Sequence, residues 1–253
     1  MNNNFRFQAY LIECLTNMHV GSGDNNYGIV DKQVQRDSIT NTPVIHSSSL
    51  KGALREYFEE CLDWKKNKNI NLEKIFGSDK GSQNLKQGEV RFFEAKMISI
   101  PVRGLSSQPF FRCTSDSLIN EYNNSKKIFA LPGDELSSAV GSADCETEYG
   151  KFGKLANSGV VGDNGINAGI KLHSEILKSL PIVARNSLEN GQSENLWYEE
   201  IIPRESRFYF ILGVPEDFAD FSNEFDENIN NKIVQIGANA SVGYGFCKIT
   251  KIS

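Results

Sequence analysis

The chain has 253 residues, 39% of them hydrophobic and 23% charged, with a formal net charge of −5. That is long enough for one large domain or a domain with a sizeable insertion, and apolar enough for a real core. No run approaches the ~18–20 apolar residues of a membrane helix, and the N-terminal MNNNFRF lacks a signal-peptide core, so no membrane association is expected. The five cysteines (Cys14, Cys61, Cys113, Cys145, Cys247) are scattered and form no C-x-x-C pair. This argues against a structural zinc site and for reduced thiols in a cytoplasmic protein, with Cys14 and Cys61 as small core residues. An acidic balance weighs against strong nucleic-acid binding by a lone subunit, unless a basic groove is localised or binding takes place in an assembly.

In chain order, residues 5–17 alternate and are β-prone, which predicts a strand buried on one side. A long Gly/Asn/Asp-rich loop follows, with a short hairpin expected around residues 37–43. Leu50, Ala53, Leu54, Tyr57, Phe58, Cys61 and Leu62 then fall at helical spacing, beginning at Ser49-Leu50-Lys51-Gly52 with cap candidates in Ser47 to Ser49. A short turn at residues 72–76 precedes a second strand over 89–102. Residues 103–202 are rich in Asn, Ser and Gly and read as a loop-rich insertion. Within it, residues 181–198 predict a protruding β-hairpin turning at Asn190-Gly191. A third strand is expected over 207–214, an amphipathic helix through Phe218, Phe221, Phe225, Ile229 and Ile233, a glycine-rich loop over 237–245, and a last strand over 246–252. Strand, helix, strand, insertion, strand, helix, strand is the order of an α+β, ferredoxin-like (RRM-like) unit interrupted in its middle, whose open sheet is a common RNA platform.

The residues from His19 to Arg55 concentrate the chemistry. A segment this long between strand and helix exceeds the about 2–6 residues of an ordinary connection. At the helix start, free N–H groups, Lys51 and Arg55 one turn apart, and Gly52 make a site for a ribose-phosphate chain; the bland alternative is a capped helix with solvated cations. Asp31, after Gly28-Ile29-Val30, is the carboxylate placed to hold Mg²⁺ or to position a ribose 2′-OH, against the alternative of a loop Asx turn. Asp24 and Asp37 sit in more turn-like surroundings. His19 could move a proton or contact a base, though a lone His is more often structural. His46 and His173 complete no metal pattern, and no G-x-S-x-G elbow accompanies Ser47 to Ser49. On a strand, Glu199 and Glu200 point to opposite faces, so one of them would face a site if the hairpin returns to Asp31. Gly237 to Gly245 is neither a Walker loop nor a dinucleotide fingerprint, and its glycines would let main chain track a polynucleotide.

Together these stretches resemble the RAMP superfamily, and most closely the backbone, target-cleaving subunit of the type III-B (Cmr) CRISPR effector complex. The resemblance is carried by His19-Val20-Gly21-Ser22-Gly23, Gly28-Ile29-Val30-Asp31, Gln35-Arg36-Asp37, Ser48-Ser49-Leu50-Lys51-Gly52-Ala53-Leu54-Arg55, Phe76-Gly77, Pro101-Val102-Arg103, Leu196-Trp197-Tyr198-Glu199-Glu200, and Gly237 through Phe246. It implies a single RAMP domain, with a palm over about residues 1–102 and 203–253 and an insertion and thumb over about 103–202. It implies copies stacked in a helical filament along a CRISPR guide RNA, beside other subunits of the effector, with a thumb that interrupts the guide–target duplex. Each copy would cut paired single-stranded target RNA with Mg²⁺ or Mn²⁺. Asp31 would then be the cleavage residue and metal ligand, assisted by His19 and Glu199. Ser49, Lys51, Arg55 and Arg36 would hold RNA, as would Arg185 and Trp197 of the thumb and Gly243, Tyr244 and Gly245 of the last loop. Ile201 stands where some relatives carry tyrosine. A non-catalytic scaffold is the other reading, and a guide-processing RAMP endonuclease a third, disfavoured by the acidic charge and the missing His dyad.

Overall fold

A computed structural model describes residues 5–23, 30–60, 72–78, 85–105, 108–189 and 192–252. The first half runs through strand β1 (Phe5–Cys14), β2 (Val44–Ile45), helix α1 (Ser47–Glu60), α2 (Leu72–Phe76), β3 (Arg91–Phe92) and β4 (Ala95–Arg103). Next come β5 (Phe110–Thr114), α3 (Asp116–Ile128), β6 (Val140–Thr147), β7 (Gly150–Leu155) and β8 (Gly165–Asn167). The chain closes with β9 (Ile182–Glu189), β10 (Gln192–Glu200), β11 (Arg207–Pro215), α4 (Ala219–Ile229), β12 (Lys232–Gln235) and β13 (Phe246–Lys251).

The main sheet has the order β12-β13-β1-β11-β4-β5-β8-β7-β6, and β9 and β10 form a separate two-stranded ribbon. Its long central strands, β13-β1-β11-β4, pair antiparallel throughout. Between β1 and β4 the chain passes through α1, and between β11 and β13 through α4. Alternation along β1 explains the layering. Tyr10 and Ile12 face the helices: the Tyr10 ring lies 5.1 Å from Phe210 and 5.8 Å from Phe225 of α4, and Phe225 lies 5.1 Å from Phe58 of α1. Phe7, Ala9 and Ile211 face the other way, toward Phe129 and Leu131.

The α+β class agrees with the sequence reading, but three local expectations do not hold. Residues 103–202 are not loop-rich throughout. Strands β5, β8, β7 and β6 extend the main sheet from β4, and α3 is a 13-residue helix. Ser115 accepts from the Leu118 N–H at 3.4 Å, Asp116 lies in the first turn and Lys126 and Lys127 in the last, all ordinary helix signals. Tyr122 of α3 meets Tyr209 edge-on at 4.9 Å, and the Tyr209 hydroxyl lies 3.1 Å from Ser125. The sheet face opposite α1 and α4 is therefore covered at Tyr209 rather than open. Secondly, α4 stops at Ile229. Asn231 takes a left-handed φ of 58°, and Ile233 lies in β12, paired with Lys248. Thirdly, α1 starts at Ser47, two residues early, so the serines form its first turn and do not precede it. Asp24, Gly28, Ile29, Cys61, Leu62 and the expected Asn190-Gly191 turn lie outside the described residues.

The glycine-rich loop packs against the chain itself. Gly237 has φ +90°, and a Cβ there would sit 2.4 Å from the His19 carbonyl oxygen, which the Ala238 N–H already engages at 2.9 Å. Gly245, at φ +78°, donates to the Asn17 carbonyl at 2.8 Å. Gly52, by contrast, has nothing within 4 Å of its Cβ position on an exposed helix face. Gly237→Ala should therefore destabilise the chain by at least about 2 kcal/mol in urea unfolding, while Gly52→Ala should stabilise it by about 0.5–1 kcal/mol. Equal effects of the two substitutions would contradict this packing.

Candidate nucleic-acid interface

The hairpin root and the 31–36 segment are sewn together by main chain. Asp31 and Lys32 both donate their N–H to the Tyr198 carbonyl at 3.1 Å, and Glu200 returns a bond to the Lys32 carbonyl at 2.9 Å. Asp31 completes this clamp with its side chain, Oδ2 accepting the Tyr198 N–H at 2.8 Å. Asp31 is exposed, and its second oxygen has no partner among the described residues. The hairpin thus returns to Asp31, as the sequence suggests.

Glu199 behaves differently. It is 2% exposed and accepts from Trp197 Nε1 at 2.8 Å, Arg185 Nε at 2.8 Å, Asn239 Nδ2 at 2.9 Å and Lys32 Nζ at 3.2 Å. Burial by itself would raise its pKa. Hydrogen bonds from Trp197 and Lys32 and the charges of His19 and Arg185 outweigh it and hold the carboxyl at about 2, below the ordinary 4.5. Its neighbour Glu200 takes Arg36 Nη2 at 2.6 Å and the Val34 N–H at 3.1 Å. Both carboxylates are thereby neutralised inside the protein.

The other named residues sort by what they touch. His19 is 3% exposed, and its Nδ1 lies 2.7 Å from the Glu200 carbonyl. A carbonyl only accepts, so Nδ1 carries the proton, and Nε2 faces Gly21. Arg36 is spent on Glu200 and on the carbonyls of Asn41 and Leu177. Arg185 pairs with Glu199 and lies 4.6 Å over the Tyr244 ring, and Lys32 lies 5.1 Å over Trp197. Arg55 is tied to Glu59 at 2.7 Å and to the Gly77 carbonyl. Ser49 accepts from Gln35 Nε2 at 2.9 Å. Gln35 also donates to the Gly21 carbonyl and accepts from the His46 N–H at 2.7 Å, so one buried amide fixes the entry to α1. Gln35 and Glu200 carry structural weight that residue types alone do not reveal. Asp37 forms an Asx turn, in keeping with its turn-like sequence surroundings: Thr40 and Ile39 N–H groups bond its carboxylate and lower its pKa. Gly243 is exposed at the loop tip.

No protein cage for a cation is present, for among the described residues no three His, Cys, Asp or Glu side chains converge. Asp31 offers one uncommitted oxygen, and Glu199 is occupied by cations. That donor set would hold a cation only if most of its oxygen ligands came from outside the chain.

Residues 11–248 match the sequence model of the RAMP superfamily. The chain belongs to the RAMP superfamily. This RAMP chain is 28% identical, over 291 aligned residues, to the CRISPR system Cmr endoribonuclease Cmr4 of Pyrococcus furiosus, covering 96% of the chain and 95% of the relative. A 98-residue stretch, 39% of the chain and 30% of the relative, is 33% identical to the CMR subunit Cmr4 of Saccharolobus solfataricus. Its fold superposes on a chain of type III-B Cmr-beta bound to cognate target RNA with a TM-score of 0.77, at 20% identity over 97% of this chain and 96% of that one. Oligomeric Cmr4 from Pyrococcus furiosus gives a TM-score of 0.67, at 23% identity over 98% of both chains. Such likeness at low identity establishes a shared RAMP α+β fold.

In this RAMP chain Glu199 yields a pH test. Folding lowers its proton affinity, so its contribution to stability is complete above about pH 4.5 and is lost as pH falls toward about 2. The gap between those values is worth about 3 kcal/mol at neutral pH. Glu199→Gln should lose about that much in urea unfolding at pH 7, with the deficit narrowing steadily below pH 4.5. A deficit constant from neutral to strongly acid pH would contradict the cationic setting of Glu199.

Proposed function

We propose that this chain is the backbone subunit of a type III-B (Cmr) CRISPR effector, a cytoplasmic ribonucleoprotein. Its copies stack along a guide RNA beside other effector subunits, and each cuts paired single-stranded target RNA. Similarity to the Pyrococcus endoribonuclease along almost the whole of both chains supports the class. The strand order β13-β1-β11-β4 with helices α1 and α4 on one face supports a ferredoxin-like palm, and the separate β9–β10 ribbon supports a thumb.

One observation carries the cleavage reading. Of the carboxylates at the hairpin root, Asp31 is the one that is exposed, oriented by a backbone N–H and left without a cation. Its free oxygen would accept the 2′-OH of the nucleotide beside the thumb, aligning that oxygen with the adjacent phosphorus. The 2′-O–P bond forms as the P–O5′ bond breaks. The 2′ proton passes to Asp31 or water, and the 5′-oxygen leaves with a proton from solvent, giving a cyclic phosphate end. Asp31 would be the residue that holds Mg²⁺ or Mn²⁺, which would supply charge stabilisation on phosphorus. Glu199 and His19, both buried, position the hairpin root and do not touch RNA. Lys51 and the first turn of α1 would hold guide phosphate.

The pairing of both Glu199 and Glu200 with cations, which leaves Asp31 as the one open carboxylate of the hairpin root among the described residues, also suits a second reading, a scaffold that binds guide and neighbours without cutting. The assembled complex with matched target RNA and either Mg²⁺ or Mn²⁺ separates them. Cleavage at regular intervals that is abolished by Asp31→Ala, with target binding intact, is the expected result. Cleavage retained by Asp31→Ala removes its catalytic role, and no cleavage by the unaltered complex establishes the scaffold.

A further inference from the structure

The cations near the proposed site divide into two kinds. Lys32, Arg36, Arg55 and Arg185 each hold a carboxylate. Lys51 and Arg91 hold none among the described residues, although they line one groove. That groove, of about 310 Å³, runs between the first turn of α1 and strand β3, lined by Ser47, Ser48, Lys51, Gln87, Arg91 and Phe92, and no described carboxylate lines it.

The two side chains reach it from different elements. Lys51 projects from α1 with its ammonium 5.9 Å over the Phe92 ring. Arg91 projects from β3, which pairs with β11 opposite Gly213, and a Cβ at Gly213 would lie 3.3 Å from the Arg91 Cβ. Its guanidinium donates once, to the Gly88 carbonyl at 2.9 Å, and lies 5.4 Å from the Phe5 ring. Burial, then the nearby charges of Arg55 and Arg91, lowers the Lys51 pKa, as expected for like charges crowded without a counter-ion. Two cations lining one groove with no described carboxylate beside them make a local positive patch on a chain whose net charge is −5, and such a patch attracts an outside anion.

We infer that Arg91 is a second RNA-backbone contact, facing Lys51 across this groove, so that one strand of RNA is gripped from two elements with the Phe92 ring beside it. The inference rests on the reading of the chain as an RNA-binding subunit, and it deepens that reading by assigning β3 to the site. Aromatic rings interleaved with uncompensated cations suit single-stranded RNA, whose phosphates and bases take the two kinds of contact in alternation.

The test uses the full-length chain and a labelled, unstructured single-stranded RNA, with anisotropy titrations over a salt series. Lys51→Glu and Arg91→Glu should each weaken binding irrespective of RNA sequence. Each should lower the salt slope by about 0.7–1, the change that removal of a single phosphate interaction brings. Arg91→Gln should lower the slope in the same direction with an unchanged melting temperature, because the Arg91 side chain is exposed. Arg103→Glu reverses another exposed cation, on β4, and should leave the slope unchanged. If Lys51→Glu weakens binding and Arg91→Glu does not, the role of Arg91 is wrong while RNA binding stands. If Arg103→Glu weakens binding equally, the effect is bulk charge and the groove is not the site. If Arg91→Glu alters self-association by sedimentation but not RNA affinity, the groove is a protein interface. If the unaltered chain binds no RNA at low salt, even at concentrations and RNA lengths that let several copies share one strand, it is the RNA-binding reading that fails.

Discussion

The buried carboxylate of Glu199 holds the functional region together. It receives four donors from three segments: Lys32 in the long loop, Arg185 and Trp197 in the hairpin, and Asn239 in the glycine-rich loop. A charge removed from water to this extent costs several kcal/mol unless its partners saturate it, and here they do. Removing Glu199 would leave Arg185 and Lys32 facing each other without their anion. The three segments would then separate by repulsion as well as by the missing hydrogen bonds. Glu200 repeats the device one residue later, drawing Arg36 and the Val34 N–H to the opposite face of the same strand. Two adjacent acids on one strand thus pin two faces of one joint, a direct use of the period-2 alternation of β-structure.

That joint explains the contrast with Asp31. A carboxylate made rigid by cations loses its capacity to take a proton or a metal, since both require a lone pair facing outward. Asp31 is oriented by a main-chain N–H, which fixes its direction without cancelling its charge. Orientation without neutralisation is what a group acting on a hydroxyl needs. The burial of Glu199 and the exposure of Asp31 are two consequences of one pairing between the loop and strand β10.

Much of the frame is legible in the residue pattern. The alternation of Phe5 to Cys14 and the spacing of Leu50, Leu54 and Phe58 specify β1 and α1 because each element buries one face against a single core. Helix α3 is hidden by its composition, since Asn and Ser lower helix propensity, although the Ser115 cap and the terminal lysines mark its ends. Ile233 misleads for the opposite reason. It continues the apolar spacing of α4, yet Asn230-Asn231 breaks the helix before it, and its pairing with Lys248 decides its state. At the site, Asp31 and Lys51 stand out by local context. The fate of Glu199, His19, Arg36 and Arg185 depends on partners up to 181 residues away, which no local pattern encodes.

The distribution of charge also reconciles an acidic body with the RNA-facing role proposed for it. Most cations around the hairpin root are paired by Glu199 and Glu200, and Arg55 on α1 is paired by Glu59, so counting basic residues overstates the potential offered to a nucleic acid. What remains outward is the small set on α1 and β3, concentrated on one groove wall opposite another. An affinity built from a few such contacts is weak for one subunit, because counterion release scales with the number of phosphates engaged. Repetition along a strand multiplies it without changing any single site, in the manner of linked weak modules. In the proposed assembly a net negative charge would restrain unguided association between copies, and the RNA strand would be the element that overcomes their repulsion.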